Sequence, residues 1–248
     1  MRPSSRDFRG FAKVVNLDSA RAKPPSNQSQ ASLTGELQAV QTLLDQGRSI
    51  EVQSRLATYM KLVRREPSLL AKARCALSVS LEMQGRYIES LDVVSMYEAP
   101  EAREELNEES QACIRVQVAL AYNYTGDHPK AIALLNSALR EADDRGDDAQ
   151  PGAIYAALAR VYRSINEYTI ARDHAKKALD HFRHSGDWRG MAEAYFGIAL
   201  AELFEGQSIA PGLCPAQARH TRALIQSLVE TSDLKDRLAL NALWGAAE

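Results

Sequence analysis

The chain has 248 residues, 45% of them hydrophobic, and a formal net charge of -2, enough apolar material to build one large domain or two small ones. So small a charge gives no general attraction to nucleic acid or to an anionic membrane, and no sizeable basic patch interrupts the periodic part of the sequence. The longest apolar runs fall well short of the roughly 20 residues that cross a bilayer, so a soluble, cytoplasmic protein is the expectation.

The N-terminal stretch differs from the rest. Six Arg or Lys precede residue 24 with no apolar run after them, a pattern unlike a secretory leader. Phe8, Phe11, Ala12 and Val15 share one helical face, but a helix this short is marginal alone in water. RAKPPSNQSQAS, from Arg21 to Ser32, is polar and proline-containing, so residues 1–32 are expected to be a flexible arm and linker. Cys75, Cys113 and Cys214 stand far apart with no CxxC spacing, the usage expected of reduced, structural cysteines.

From Leu33 onward apolar residues recur at three and four, and strand-like alternation is absent. Gly47, Gly85, Gly126, Asn166 and Gly206 interrupt this pattern at intervals of 38, 41, 40 and 40. Gly and Asn are the residues that accept the left-handed backbone at a helix end. Seven residues before each stand Val40, Ser78, Ala119, Ala159 and Ala199; five residues after stand Val52, Ser90, Ala131 and Ala171. Four of the first five are small enough for close helix contact, and small side chains at both places allow two paired helices to approach closely. Gly146-Asp147 and Gly186-Asp187 supply a second kind of turn, between one pair and the next.

A period near 40 made of helix pairs predicts an all-α solenoid, in which each pair buries its apolar face against its neighbours. Five hairpins are expected over residues 33–231. The segment SDLKDRLALNALWGAAE, from Ser232 to Glu248, has Asp233 to cap it and a stripe of Leu234, Leu238 and Trp244. It is expected to form an eleventh, capping helix.

These residues resemble the tetratricopeptide repeat, whose pattern runs W-x2-L-G-x2-Y, then A-x3-F, then P. The fourth unit reads Tyr155-x2-Leu158-Ala159-x2-Tyr162, then Ala171-x3-Ala175 and Ala178. The third offers Val118-Ala119-x2-Tyr122, then Ala131-x3-Leu135 and Ala138, and the fifth Tyr195-x2-Ile198-Ala199. Units one and two are degenerate. The period of 40 and the Gly-Asp in place of the closing proline are similar to a longer subclass of the family.

Residues able to do chemistry are sparse. His181 and His184 lie one turn apart with His174 nearby, but nothing completes a ligand set of about four. Phosphate-binding, dinucleotide, nucleophile-elbow and zinc-protease motifs are all missing. A non-enzyme without cofactor or metal is expected.

The resemblance implies that the first helix of each pair lines a concave groove. Carried over position by position, it assigns Lys72, Cys75, Val79, Glu82 and Met83 to the groove in unit two. It gives Cys113, Val116, Leu120, Asn123 and Tyr124 in unit three, and Ala153, Ala156, Arg160, Arg163 and Ser164 in unit four. Unit five contributes Glu193, Phe196, Leu200, Leu203 and Phe204. The positions by which chaperone co-factors of the family clamp a terminal carboxylate hold Cys75, Val79, Val116, Leu120, Ala156 and Arg160, so that clamp is absent.

Asn123, Tyr124, Arg160, Arg163, Phe196 and Leu200 are the expected partner-binding residues. The arginines suit an acidic segment, unless Glu193 takes them. The implied function is a non-catalytic scaffold or adaptor that holds a peptide or helical segment of another protein; the alternative is a bacterial regulator whose superhelix changes shape when a peptide binds.

Overall fold

The computed structural model describes residues 27–145 and 151–209. Nine α-helices run through them: α1 (Asn27–Asp45), α2 (Ser49–Leu62), α3 (Pro67–Glu82), α4 (Tyr87–Val94), α5 (Glu108–Thr125), α6 (His128–Arg145), α7 (Pro151–Ser164), α8 (Tyr168–Ser185) and α9 (Trp188–Ile209). No strand occurs among the described residues, and none of their helices is long and apolar enough to cross a membrane. The tenth and eleventh helices expected from the sequence, and the Gly146-Asp147 turn, lie outside the described residues.

Four hairpins are closed by one device. Gly47, Gly85, Gly126 and Asn166 all take positive φ, between 64° and 92°. At each, the N–H of the turn residue reaches the carbonyl three residues back, and the next N–H reaches the carbonyl five back. Thus Gly47 donates to Leu44 and Arg48 to Leu43, each at 2.9 Å. Gly126 and Asp127 donate in the same way to Asn123 and Tyr122, and Asn166 and Glu167 to Arg163 and Tyr162. This double bond satisfies the carbonyls a helix end leaves open, and it needs the left-handed residue at its centre. Gly186, at φ 71°, repeats the device between α8 and α9.

Two expectations are corrected. Gly206 makes no turn, because α9 runs unbroken from Trp188 to Ile209; one glycine inside a helix costs only about 1 kcal/mol relative to alanine, which the continuing ladder outweighs. The first helix begins at Asn27, so the last six residues assigned to the linker are helical.

The small residues sit where paired helices touch. Val40, Ser78, Ala119, Ala159 and Ala199, and opposite them Val52, Ser90, Ala131 and Ala171, are all buried. In unit two the contact is also polar, with Ser78 Oγ 2.7 Å from Ser90 Oγ. That unit departs from the others. Its second helix has eight residues and gives way to two single 3-10 turns, Ser95–Glu98 and Pro100–Arg103. Ala99 is extended (φ -67°, ψ 131°) ahead of Pro100, as the proline ring requires of the residue before it. The irregular stretch is fastened by Arg103, which donates to the carbonyls of Tyr97 and Glu98 at 2.6 and 2.9 Å. Asn107 then caps α5 by accepting from the Ser110 N–H at 2.9 Å.

The first helices of successive pairs touch one another in order, α1 to α3 to α5 to α7 to α9, while each second helix is wedged between its own partner and the next first helix. The first helices therefore form the continuous, inner layer, and the second helices spread around the outside. Four core clusters follow each other along the stack, one under each junction. An Arg189–Asp45 ion pair joins the start of α9 to the end of α1, so the array curls back on itself.

Phe182 shows how tightly the last junction is fitted. It is buried, and a Cβ placed on Gly190 would lie 2.3 Å from its ring, whereas one on Gly35 would meet nothing within 4 Å. Gly190→Ala is expected to lower the unfolding free energy by about 1–3 kcal/mol through overpacking. Gly35→Ala, in the interior of α1, should leave it unchanged or raise it by up to about 1 kcal/mol. Urea denaturation of both variants beside the parent checks the pair.

Candidate functional site: the inner helical wall

The inner wall is built by groups that bridge one first helix to the next. Between α3 and α5 the Asn107 N–H donates to Ser68 Oγ at 2.8 Å. One turn on, Lys72 meets Glu109 at 2.7 Å. Further along, Gln117 Nε2 donates to Ser78 Oγ at 2.9 Å and to Glu82 Oε1 at 2.7 Å. Between α5 and α7, Asn123 Nδ2 donates to Ser164 Oγ at 3.2 Å, while its Oδ1 accepts from His128 Nδ1, at the start of α6, at 2.9 Å. Between α7 and α9, Arg160 pairs with Glu193.

Glu82 is the least ordinary group in this wall. Its Oε1 also accepts from Ser90 Oγ at 2.8 Å and from Ser78 Oγ at 3.4 Å. Burial nonetheless dominates: the carboxyl is pushed up from 4.5 to about 7, against the Ser90 hydrogen bond, the Arg160 charge and the bonds from Ser78 and Gln117. Near neutrality the group is divided between its charged and uncharged forms.

The predicted binding residues fare differently from one another. Asn123 is 3% exposed and its amide is engaged on both sides, so it is a brace between units. The Tyr124 ring stacks on Tyr87 at 5.3 Å, and Tyr124 lies near enough to Arg160 to favour its charge. Arg160 is held by its ion pair with Glu193. Arg163 is half-buried, and burial and then the neighbouring Arg160 charge depress its pKa; among the described residues no hydrogen bond or ion pair holds its guanidinium. Of the two arginines, Glu193 takes Arg160 and leaves Arg163. Phe196 and Leu200 are half-buried on α9, one and two turns beyond Glu193. The Leu203 side chain and the segment expected to cover this stripe lie outside the described residues.

The histidines are packed as rings. His174 stacks on Tyr155 at 5.8 Å and on Tyr162 at 5.2 Å, and His181 stacks on the other end of the same set, Tyr155 at 5.6 Å. Burial, then Lys177, lowers the His174 pKa. His184 Nδ1 donates to the Asp180 carbonyl at 2.7 Å. Among the described residues no group of three or more His, Cys, Asp or Glu is placed to hold a metal ion.

Sequence reading missed three features. Glu82 and Gln117 form the polar centre of the wall, with only a Ser78–Ser90 pairing in the sequence to hint at it. Cys75 and Cys113 are neighbours. Units one and two, read as degenerate, share the string Q-G-R-x-I-E at Gln46–Glu51 and Gln84–Glu89. In both, the arginine after the turn grips the glutamate three residues on with two bonds, at 2.7 and 2.6 Å.

A stack of helical hairpins with a continuous inner layer of first helices defines an α-solenoid repeat protein. Residues 110–184, which span units three and four, match the family model for the tetratricopeptide repeat. Two solved structures of TPR-like repeats share the architecture, both of a Podosopora anserina protein described as a putative kinesin light chain with nearly identical repeats. One is 15% identical with a TM-score of 0.51, covering 79% of this chain and 97% of its own. The other, a point variant of that protein, is 15% identical with a TM-score of 0.52, covering 81% and 97%. At that identity the likeness is one of fold. No curated protein matches the sequence.

Glu82 ties stability to pH. Its folded pKa lies above its unfolded value, so the folded state holds the extra proton between about 4.5 and about 7, and stability falls as pH rises through that window. The contribution is on the order of 3 kcal/mol in all. Glu82→Gln keeps an acceptor for Gln117 and should flatten this slope, leaving the variant more stable than the parent at pH 8 and close to it at pH 4.5. Urea midpoints taken across pH test the assignment.

Proposed function

We propose that the chain is a non-catalytic adaptor whose inner wall holds an acidic peptide or helical segment of a partner protein. The observation that carries this reading is Arg163: a half-buried guanidinium with no hydrogen-bond or ion-pair partner among the described residues, one turn from an arginine already fixed by Glu193. A charge held partly out of water gains by meeting a carboxylate, and the guanidinium fork can give that carboxylate two parallel hydrogen bonds. Arg160 is already immobilised, so little ordering entropy remains to be lost there on binding. Phe196 and Leu200 offer an apolar landing for a side chain of the same ligand, on the helix that carries Glu193.

The charge balance supports the same direction. Arg160 and Arg163 both stand near Glu193, and the other carboxyl near Arg160 is Glu82, whose acidity burial weakens. A basic ligand would meet two guanidinium groups; an acidic one completes the pairing. The tetratricopeptide repeats at 110–184 belong to a fold built for holding protein segments, which is consistent with this use.

A random peptide library selected on the immobilised full chain should return sequences rich in Asp and Glu. Binding of a selected peptide should weaken about tenfold or more in Arg163→Ala, the scale of one lost charged hydrogen-bonded contact. Arg183→Ala, on outer helix α8 and paired with Asp180, should leave it unchanged. Selected peptides without acidic bias, or equal affinity for the parent and Arg163→Ala, would move the site away from this wall.

A further inference from the structure

The bridges that join α3 to α5 advance in step along both helices. Lys72 meets Glu109 at one level, and Ser78 meets Gln117 two turns further on. Cys75 lies one turn beyond Lys72, and Cys113 one turn beyond Glu109, so the register of the flanking bridges sets the two thiols opposite each other. They are near enough for each thiol to shift the titration of the other. The two ends of this contact are unlike. Cys75 is buried, and Cys113 is exposed. The contact and the Lys72 charge favour the thiolate at Cys113, while the same contact and burial disfavour it at Cys75.

We infer that Cys75 and Cys113 form a reversible thiol–disulfide site, in which Cys113 reacts with a hydroperoxide and Cys75 then closes a disulfide between α3 and α5. The Cys113 thiolate attacks the terminal oxygen of the hydroperoxide. The O–O bond breaks, the sulfur becomes a sulfenic acid, and hydroxide or alkoxide leaves. The Cys75 sulfur then attacks the Cys113 sulfur, the S–O bond breaks, and water leaves with the Cys75 proton. Two electrons pass from the thiol pair to the peroxide, and a dithiol reductant returns them by exchange. The product replaces a weak contact by a covalent bridge between units two and three, at the junction where the short α4 gives the least second-helix support. This inference stands apart from the acidic-peptide reading, since it concerns the wall's own chemistry.

The full chain, treated with hydrogen peroxide and then blocked with N-ethylmaleimide, should yield one linked pair of tryptic peptides, Cys75–Arg86 joined to Glu104–Arg115. The chain should remain monomeric on a non-reducing gel, and dithiothreitol should reverse the link. In untreated protein, Cys113 should be alkylated at least about tenfold faster than Cys75, as its exposure and thiolate character require. In Cys75→Ala, peroxide should leave a sulfenic acid on Cys113 that dimedone captures. A link from either cysteine to Cys214 or between two chains overturns the inference. So does Cys113 sulfinic acid without a link, or Cys75 reacting first. The alkylation order needs no variant, so the test stands even if Cys75→Ala folds poorly.

Discussion

The close contact between a small residue seven positions before each turn and another five positions after it sets the spacing within every hairpin, and the rest of the architecture follows from that spacing. With Ala119 against Ala131, or Ala159 against Ala171, two helix backbones lie near enough for the larger residues on either side to interdigitate. The turn is then obliged to be short, and the left-handed residue with its pair of backbone hydrogen bonds is the short turn that also satisfies the open carbonyls. Because each hairpin buries its broad apolar face only against neighbours, the array has one core distributed along its length.

This geometry has a polar consequence. First helices that pack in a continuous inner layer bring the same positions of successive units side by side, and most polar groups there find each other before they find a ligand. Asn123, Gln117, Lys72 and Arg160 are all consumed in this way. Glu82 is the cost of the arrangement, a carboxyl buried deeply enough that hydrogen bonds from Ser90, Ser78 and Gln117 do not restore its ordinary acidity. Arg163 is the residue left over. An inner wall is therefore better described by what its internal pairing leaves available than by which side chains point inward.

That distinction also marks how far the sequence could be read. The turns at Gly47, Gly85, Gly126, Asn166 and Gly186 were legible because a left-handed backbone restricts the residue type, and the close contacts because a small residue repeated at a fixed distance has few other causes. Gly206 misled for the converse reason: glycine permits a turn without requiring one. The irregular stretch after Val94 was visible only as the proline at 100. The fates of Arg160 and Arg163 could not be read, since one turn of helix separates them and only the position of Glu193 on another helix decides between them. The same holds for Cys75 and Cys113, which are distant in sequence and meet through the register of two helices.

The shortness of α4 matters beyond its own unit. In a stack stabilised by nearest-neighbour contacts, order spreads from unit to unit only as well as each junction transmits it. Units three and four have full-length paired helices, whereas unit two passes its load through eight helical residues and a stretch of 3-10 turns pinned by Arg103. The seam, where Pro100 supplies no backbone donor, is where local opening is expected to begin. The array is in this sense two springs in series, the softer link lying where the inner wall is otherwise most densely bridged.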